Sequence, residues 1–345
     1  MLRFARHRCL LLALFGAAPA AAQEPVAPPP PQPSVISDTK DGLGSHLMVA
    51  VYSADADGAR RAIDAAMARM LAVEAELADY VPASELSKVN LGAGKGPVSV
   101  SPLALRMLLR GREVQRLSRG AWALSAAALQ GLWDFGAAKP RPPDAVRLRE
   151  RLARVDDAQI VLDVEHSQVT LQAATTSIGL GGMVRGAAAD EALALLVGEG
   201  FANALVFAGG DIRAVGSKGP KPWIVGLQDP RAVGYYATLP LKDEAVATVG
   251  DYQRFVQIDG ERLCDILDPR TGLPAKGARS VTVVAKDAAT AHALATTLFV
   301  LGPTEGLALA DTEPEVQAVI VDAGNNLAMS AGLKDRLRVV RPPSE

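Results

Sequence analysis

Ile178-Gly179-Leu180-Gly181-Gly182-Met183-Val184-Arg185-Gly186 runs straight into an apolar, alanine-rich stretch, Ala187–Glu199, that stops at Gly200. Glycines ahead of a helix let backbone N–H groups approach an anion, and the positive end of the helix dipole adds attraction. Such turns are more often plain structure than sites, so the stretch marks a turn-to-helix junction first and a candidate anion site second. The chain changes character around it. Upstream the periodicity predicts helices over Asp57–Ala78, with Ile63, Met67, Met70, Leu71 and Leu77 on one side, from Pro102 to about Ser118, and over Ala145–Val155. Ser101-Pro102 supplies an N-cap followed by proline at the first helical position.

Downstream the signals are mostly strands. Ala204–Ala208, Trp223–Gln228, Arg254–Asp259, Arg262–Leu267 and Ser280–Ala285 read as strands, and Asp259-Gly260 is a two-residue hairpin turn. A helix follows over Ala288–Leu301, another from Pro303, then a hairpin of Val316–Asp322 and Leu327–Ser330. Leu47–Tyr52 and the pair Gln159–Val164 and Gln168–Gln172 add strands to the first half. Helices and strands mix without strict alternation, so the fold class is α+β and not a doubly wound parallel sheet.

The ends have a different composition. Arg3, Arg6, His7 and Arg8 precede an apolar run to Ala18, and Ala20-Ala21-Ala22 offers a cleavage site. Residues 1–22 therefore read as a secretory signal peptide, too short to span a bilayer. Residues 23–35 are a proline-rich linker, the folded body covers 36–340, and 341–345 are a tail. The mature chain keeps only Cys264, which excludes an internal disulfide. A net charge of −2 with 4% aromatic residues carries no nucleic-acid footprint, and no second apolar run reads as a membrane span. Gly-x-Ser-x-Gly, Cys-x-x-Cys, His-Glu-x-x-His and Walker motifs are all missing, which disfavours the common hydrolases and zinc enzymes.

Further stretches could carry chemistry. Ala208-Gly209-Gly210-Asp211-Ile212-Arg213 ends a strand, and Gly250-Asp251-Tyr252 and Asp268-Pro269-Arg270-Thr271-Gly272 form polar turns. Each alone is an ordinary turn. In order, Tyr80-Val-Pro-Ala-Ser-Glu-Leu-Ser-Lys-Val-Asn90, Leu180–Gly186, Asn203–Arg213, Trp223–Pro230, Ala247–Phe255 and Ile266–Gly272 resemble the ApbE family, over roughly residues 43–310. That resemblance implies a T-fold-related body of two intimate lobes with mixed sheets and flanking helices.

It also implies an exported FAD:protein FMN transferase that uses Mg²⁺. Such an enzyme splits FAD, passes FMN to a Ser or Thr of an acceptor protein and releases AMP. The implied partners are FAD and an exported or membrane redox protein, in the periplasm. Carried over position by position, Gly44, Ser45, Tyr80, Glu85, Ser87, Asn90, Gly181, Gly182, Arg185, Gly209, Gly210, Asp211 and Asp251 would contact the cofactor. Asp265, Asp268 and Arg270 would be catalytic, and Val184 (through its carbonyl), His292 and Thr296 would stand at the metal.

The chain departs from the family pattern at chemically important points. Gly120-Ala-Trp-Ala-Leu-Ser125 replaces the usual Gly-Ala-Phe-Asp-Pro-Thr, and Gly179 replaces an Asp. Phe207 replaces an Asn, Val249 a Ser, and Arg185 the usual Lys. Asp265 stands where the family has an acid–base histidine, and His292 where it has a metal-binding Asp. Imidazole favours softer metals than Mg²⁺. An exchange of jobs between Asp265 and His292 would require them to be neighbours. Two alternatives remain at this level: a catalytically degenerate FAD-binding protein, or an FAD pyrophosphatase of the same fold.

Overall fold

The computed structural model describes residues 32–345; the expected signal peptide and residues 23–31 of the proline-rich linker lie outside the described residues. The chain opens with a hairpin of β1 (Ser34–Gly42) and β2 (Ser45–Ser53) that turns at Leu43-Gly44, both with positive φ. The folded body thus begins at Ser34, slightly ahead of the expected boundary at residue 36. Then come α1 (Ala56–Leu77), α2 (Glu85–Leu91), β3 (Val98–Ser99), α3 (Pro102–Leu117) and α4 (Ala145–Leu152). Next are β4 (Ile160–Asp163), β5 (Gln168–Leu171), α5 (Met183–Gly198), β6 (Ala204–Ala208), β7 (Asp211–Val215) and β8 (Trp223–Gln228). They are followed by β9 (Tyr235–Leu241), β10 (Ala245–Gly250), β11 (Phe255–Ile258), β12 (Glu261–Cys264) and β13 (Ala278–Ala285). The chain closes with α6 (Ala288–Ala310), β14 (Gln317–Asp322), β15 (Leu327–Met329) and β16 (Arg338–Val339).

An eight-stranded antiparallel sheet, in the order β1-β2-β6-β7-β10-β13-β14-β15, is the frame. Alternation along each strand sends side chains to two cores. Val49, Val206, Ala247 and Val283 pack with α1, α5 and α6 on one face. Ala50, Leu205, Val246 and Val284 pack on the other against Trp223, Tyr236 and Leu239 of the small sheet β16-β9-β8. Both faces are covered, so β10 (Ala-Val-Ala-Thr-Val-Gly) is buried almost throughout and lacks the alternation that marks a half-exposed strand.

The alanine-rich α5 lies between α1, α6 and the sheet, where small side chains let elements approach closely. At Gly186 an added Cβ would come within 2.5 Å of the Ala288 backbone, so α5 and α6 cross there. The first turn of α5 is built from Met183 onward, not Ala187; the glycine turn is therefore part of the helix start. By length and composition α6 could cross a membrane. It breaks at Gly302-Pro303 and packs on β10, β13 and β14, which is the position of a core helix. Residues 341–345 are not a loose tail: Ser344 donates to the Asp229 carboxylate through its N–H (3.1 Å) and its hydroxyl (2.9 Å). Cys264 is buried, and burial pushes its thiol up to about 12, so it is inert in the folded chain.

Asp190 ties α5 to α6. Its carboxyl accepts the N–H groups of Ala288 and Ala289, at 2.9 and 3.1 Å, and lies 3.6 Å from Arg213. Burial, then the charge of Asp287, pushes its pKa up to about 7. A carboxyl whose pKa rises on folding stabilises the fold while it is protonated and loses that contribution as pH climbs through the folded value. The melting temperature is therefore expected to fall between about pH 4, near the unfolded value, and about pH 7, the folded one. Asp190→Asn should make that slope shallower; an unchanged slope in thermal melts would remove Asp190 from the account.

Candidate functional site

Three glycine turns converge on one cavity of about 1600 Å³: Gly44-Ser45 in the first hairpin, Gly181-Gly182 ahead of α5, and Gly209-Gly210 between β6 and β7. Each needs glycine for a local reason. Gly181, Gly209 and Gly210 have φ of 52°, 58° and 109°, in the left-handed region that side chains disfavour. Gly209 also faces Ser45 so closely that an added Cβ would lie 2.5 Å from Oγ. The volume exceeds the roughly 300–1,000 Å³ of a drug-sized site and suits an elongated ligand.

The N-terminus of α5 opens on this cavity. Its N-cap is Gly182, and in place of a side-chain cap the N–H groups of Met183, Val184 and Arg185 donate to the carbonyls of Leu180, Gly181 and Gly182, at 3.1, 3.3 and 3.0 Å. Beside it, His292 on α6 is buried, and Gly182 sits against its ring: an added Cβ at 182 would lie 1.8 Å from His292 Nε2. On the other side of the ring, Nδ1 stands 2.8 and 3.0 Å from the two carboxylate oxygens of Asp211, at the start of β7. Asp211 is fully buried, and Arg185 Nε lies 3.9 Å from it. Thr296 follows His292 by one helical turn and also lines the cavity, as does Val184.

The expected metal position therefore exists as a place, but its donors do not suit Mg²⁺. It offers an imidazole, a threonine hydroxyl and a backbone carbonyl, where Mg²⁺ demands a near-octahedral oxygen shell. The nearby carboxylate, Asp211, already faces His292. Among the described residues no group of three or more His, Cys, Asp or Glu side chains could hold a metal ion.

The cavity does fit a large polar ligand. Trp122 Nε1, Tyr252 Oη and Arg185 Nε are buried without a hydrogen-bond partner, and all three residues line it. Burial, then the charges of Asp251 and Asp229, pushes the Tyr252 hydroxyl up to about 12, so it remains a donor at neutral pH. Asp265 stands on the same wall, exposed to the cavity on one side. Desolvation by the protein on its other sides raises its pKa, while Arg254 and Arg185 pull it down. Asp265 and His292 share the cavity without a hydrogen bond between them.

Other expected site residues are held elsewhere. Glu85 accepts from the Ser101 N–H at 2.6 Å, Ser87 donates to the carbonyls of Asp79 and Val81, and Asn90 brackets the Ile178 backbone at 2.9 and 2.8 Å. These side chains brace the wall that carries Tyr80 and Asp79; they do not face the cavity, because their polar atoms are used by the backbone. Tyr80 does line it, with its hydroxyl 2.6 Å from Glu74. Asp251 is held by both nitrogens of Arg231, at 2.6 and 2.7 Å, and its neighbour Tyr252 reaches the cavity in its place. Asp268 and Arg270 pair with each other at 2.7 Å across their own turn, and Arg270 faces a smaller cleft of about 400 Å³. Trp122 and Tyr252 were within reach of sequence reading, since both sit inside motifs that it singled out, but an orphan donor is visible only in three dimensions.

Gly179 has an unexpected neighbour. A Cβ placed there would lie 2.6 Å from Asp79 Oδ2 and 3.1 Å from its Cγ. The Asp79 carboxyl thus fills the room that an Asp at 179 would use, and Gln130 donates to it at 2.6 Å. Burial raises the Asp79 pKa. Restoring Asp at 179 is expected to weaken FAD binding by about tenfold or more, through like-charge crowding. Asp79→Ala in the same chain should recover most of that loss. Titration of flavin fluorescence checks both, and full affinity in Gly179→Asp alone would contradict the reading.

The sequence model of the ApbE family matches residues 43–320. An FAD:protein FMN transferase of Treponema pallidum is 34% identical over 74% of this chain and 76% of its own. One of Klebsiella pneumoniae is 28% identical over 84% of this chain and 90% of its own. The crystal structure of the ApbE protein of Thermotoga maritima superposes with a TM-score of 0.80 at 28% identity, covering 90% of this chain and 100% of that one. The flavin transferase ApbE of Vibrio cholerae, at 24% identity and a TM-score of 0.76, shares the fold.

Proposed function

The chain belongs to the ApbE family, and on that premise we infer that it is an FAD:protein FMN transferase. The observation that carries the reading is the convergence of three glycine turns, the N-terminal end of α5 and the side chains of Trp122, Arg185 and Tyr252 on one cavity. The glycine turn Gly181-Gly182 presents its backbone to phosphate oxygens, aided by the dipole of α5, while the N–H groups of Met183, Val184 and Arg185 already donate to the carbonyls of Leu180, Gly181 and Gly182. Arg185 adds a guanidinium that can hold a phosphate oxygen and offset its charge. Trp122 and Tyr252 line the space that the flavin nucleotide would fill. These groups orient FAD so that an acceptor hydroxyl can meet the FMN phosphorus in line, and preorganised donors stabilise the charge that develops there.

In the reaction the acceptor oxygen bonds to the FMN phosphorus, the pyrophosphate bond breaks, AMP leaves with that electron pair, and the hydroxyl proton passes to a base. The acceptor is a Ser or Thr of an exported or membrane redox protein, and the chain itself is exported to the periplasm by residues 1–22. The basic, apolar and small residues in that order support export. Because the donors at His292 do not suit Mg²⁺, no step is assigned to it.

The test is to mix the mature chain with FAD and an acceptor carrying a Ser-Gly-Ala-Thr-like target, and to read acceptor mass and free AMP. An acceptor heavier by one FMN less water is expected, with equimolar AMP. AMP without a modified acceptor would make the chain an FAD pyrophosphatase. Bound FAD with neither product would make it a flavin-binding relative that has left catalysis.

A further inference from the structure

We propose that the Asp211–His292 pair takes the place of a divalent cation in this chain. His292 Nε2 receives the proton of the acceptor hydroxyl as transfer begins. The imidazolium so formed, held against Asp211, then neutralises phosphate charge at the glycine turn. This rests on the transferase reading above.

The geometry is that of an oriented base. His292 Nδ1 stands 2.8 and 3.0 Å from the Asp211 oxygens; with Asp211 as the acceptor carboxylate and the ring neutral, Nδ1 donates and Nε2 keeps its lone pair. Nε2 points at Gly182, at the mouth of α5, where the phosphates are expected. Only glycine leaves room for the ring there. Asp211 is buried on β7, so it acts through His292 as a positioning residue and does not touch substrate. The oxygen donors that remain at this corner, Thr296 and the Val184 carbonyl, are too few for a hard cation.

The step balances. The O–H pair of the acceptor becomes the new O–P bond to FMN, the proton moves to Nε2, and the P–O bond to AMP breaks with its electrons on the AMP phosphate. His292 then returns the proton to solvent. Cation and base, supplied elsewhere by separate groups, are here one side chain in successive states. Asp265, under the charges of Arg254 and Arg185, has no side-chain hydrogen-bond partner among the described residues to orient it.

The experiment compares transfer by the full mature chain in chelator and in Mg²⁺. Transfer is expected to continue in chelator within about twofold of the Mg²⁺ rate, while His292→Ala and His292→Gln lose about 10²–10⁴-fold, the range for removing a general base. Both variants should keep FAD affinity within a few-fold. His292→Asp should regain transfer only with Mg²⁺, since it restores an oxygen ligand. Asp211→Asn should lower transfer and also change the ¹⁵N signature of the His292 ring from the Nδ1–H form, which a purely structural role would not do. Transfer by the parent chain that stops in chelator and returns with Mg²⁺ would overturn the proposal and leave the transferase reading intact. Full activity in His292→Gln would overturn it equally. An acceptor left unmodified in every arm, with FAD bound, would instead sink the transferase reading and the proposal with it.

Discussion

Gly182→Ala is expected to abolish FMN transfer, by more than a hundredfold, and to destabilise the fold. The backbone at 182 is helical, with φ −67°, so alanine brings no conformational strain of its own. The whole effect is the methyl group, placed 1.8 Å from His292 Nε2. The ring must move to make room, and its contact with Asp211 is what that movement strains. Overpacking a core costs about 1–3 kcal/mol. Leaving the Asp211 carboxylate buried without its partner raises the cost towards about 3–5 kcal/mol, with Arg185 at 3.9 Å as the remaining compensation. Chemical denaturation measures the stability and the acceptor mass assay measures transfer. The clash also predicts strong coupling: in the Gly182→Ala, His292→Ala double variant the stability losses should fall well short of additive. Additive losses, or a Gly182→Ala chain that transfers FMN normally, would show that the ring does not stand against the turn.

Arg185→Ala should weaken FAD binding by about 10–100-fold, the loss of a charge-assisted bond worth about 1.5–3 kcal/mol. Arg185 lies on the first turn of α5, half-buried, with Nε unpartnered and the Asp211 carboxylate within 3.9 Å. Its charge also lowers the pKa of Asp265. It therefore has two roles, on the ligand and on the two carboxylates, and its removal should affect both. Arg185→Lys keeps the charge and loses the planar fork, so binding should fall only a few-fold. Equilibrium titration of flavin fluorescence separates these cases, and equal affinities for the Arg and Ala chains would place the phosphates elsewhere.

Which site residues were legible follows from how each acts. Gly181, Gly182, Gly209 and Gly210 act through their own backbones, so a short motif finds them, and the structure brings them together. Glu85, Ser87, Asn90 and Asp251 sit in equally good motifs, yet their side chains are spent on backbone groups or on Arg231. A motif says that a residue is needed and does not say which way it points. The secondary structure shows a similar split. α1 and α3 carry helical periodicity and caps, Asp55 and Ser101, that are readable in order. β10 is buried between the layered sheets and leaves no alternation to read.

By itself the sequence determined the α+β class, the main helices and hairpins, the glycine turns and the family, because local backbone preference and ordered motifs are written along the chain. Only the tertiary structure decided that Asp79 occupies the room beside Gly179, and that His292 faces Asp211, 81 residues away, with its free nitrogen at Gly182. Such pairings depend on how α6 packs across the sheet and on which side chains fill the space that others leave. Packing of that kind is a property of the whole fold, and no short stretch of sequence encodes it.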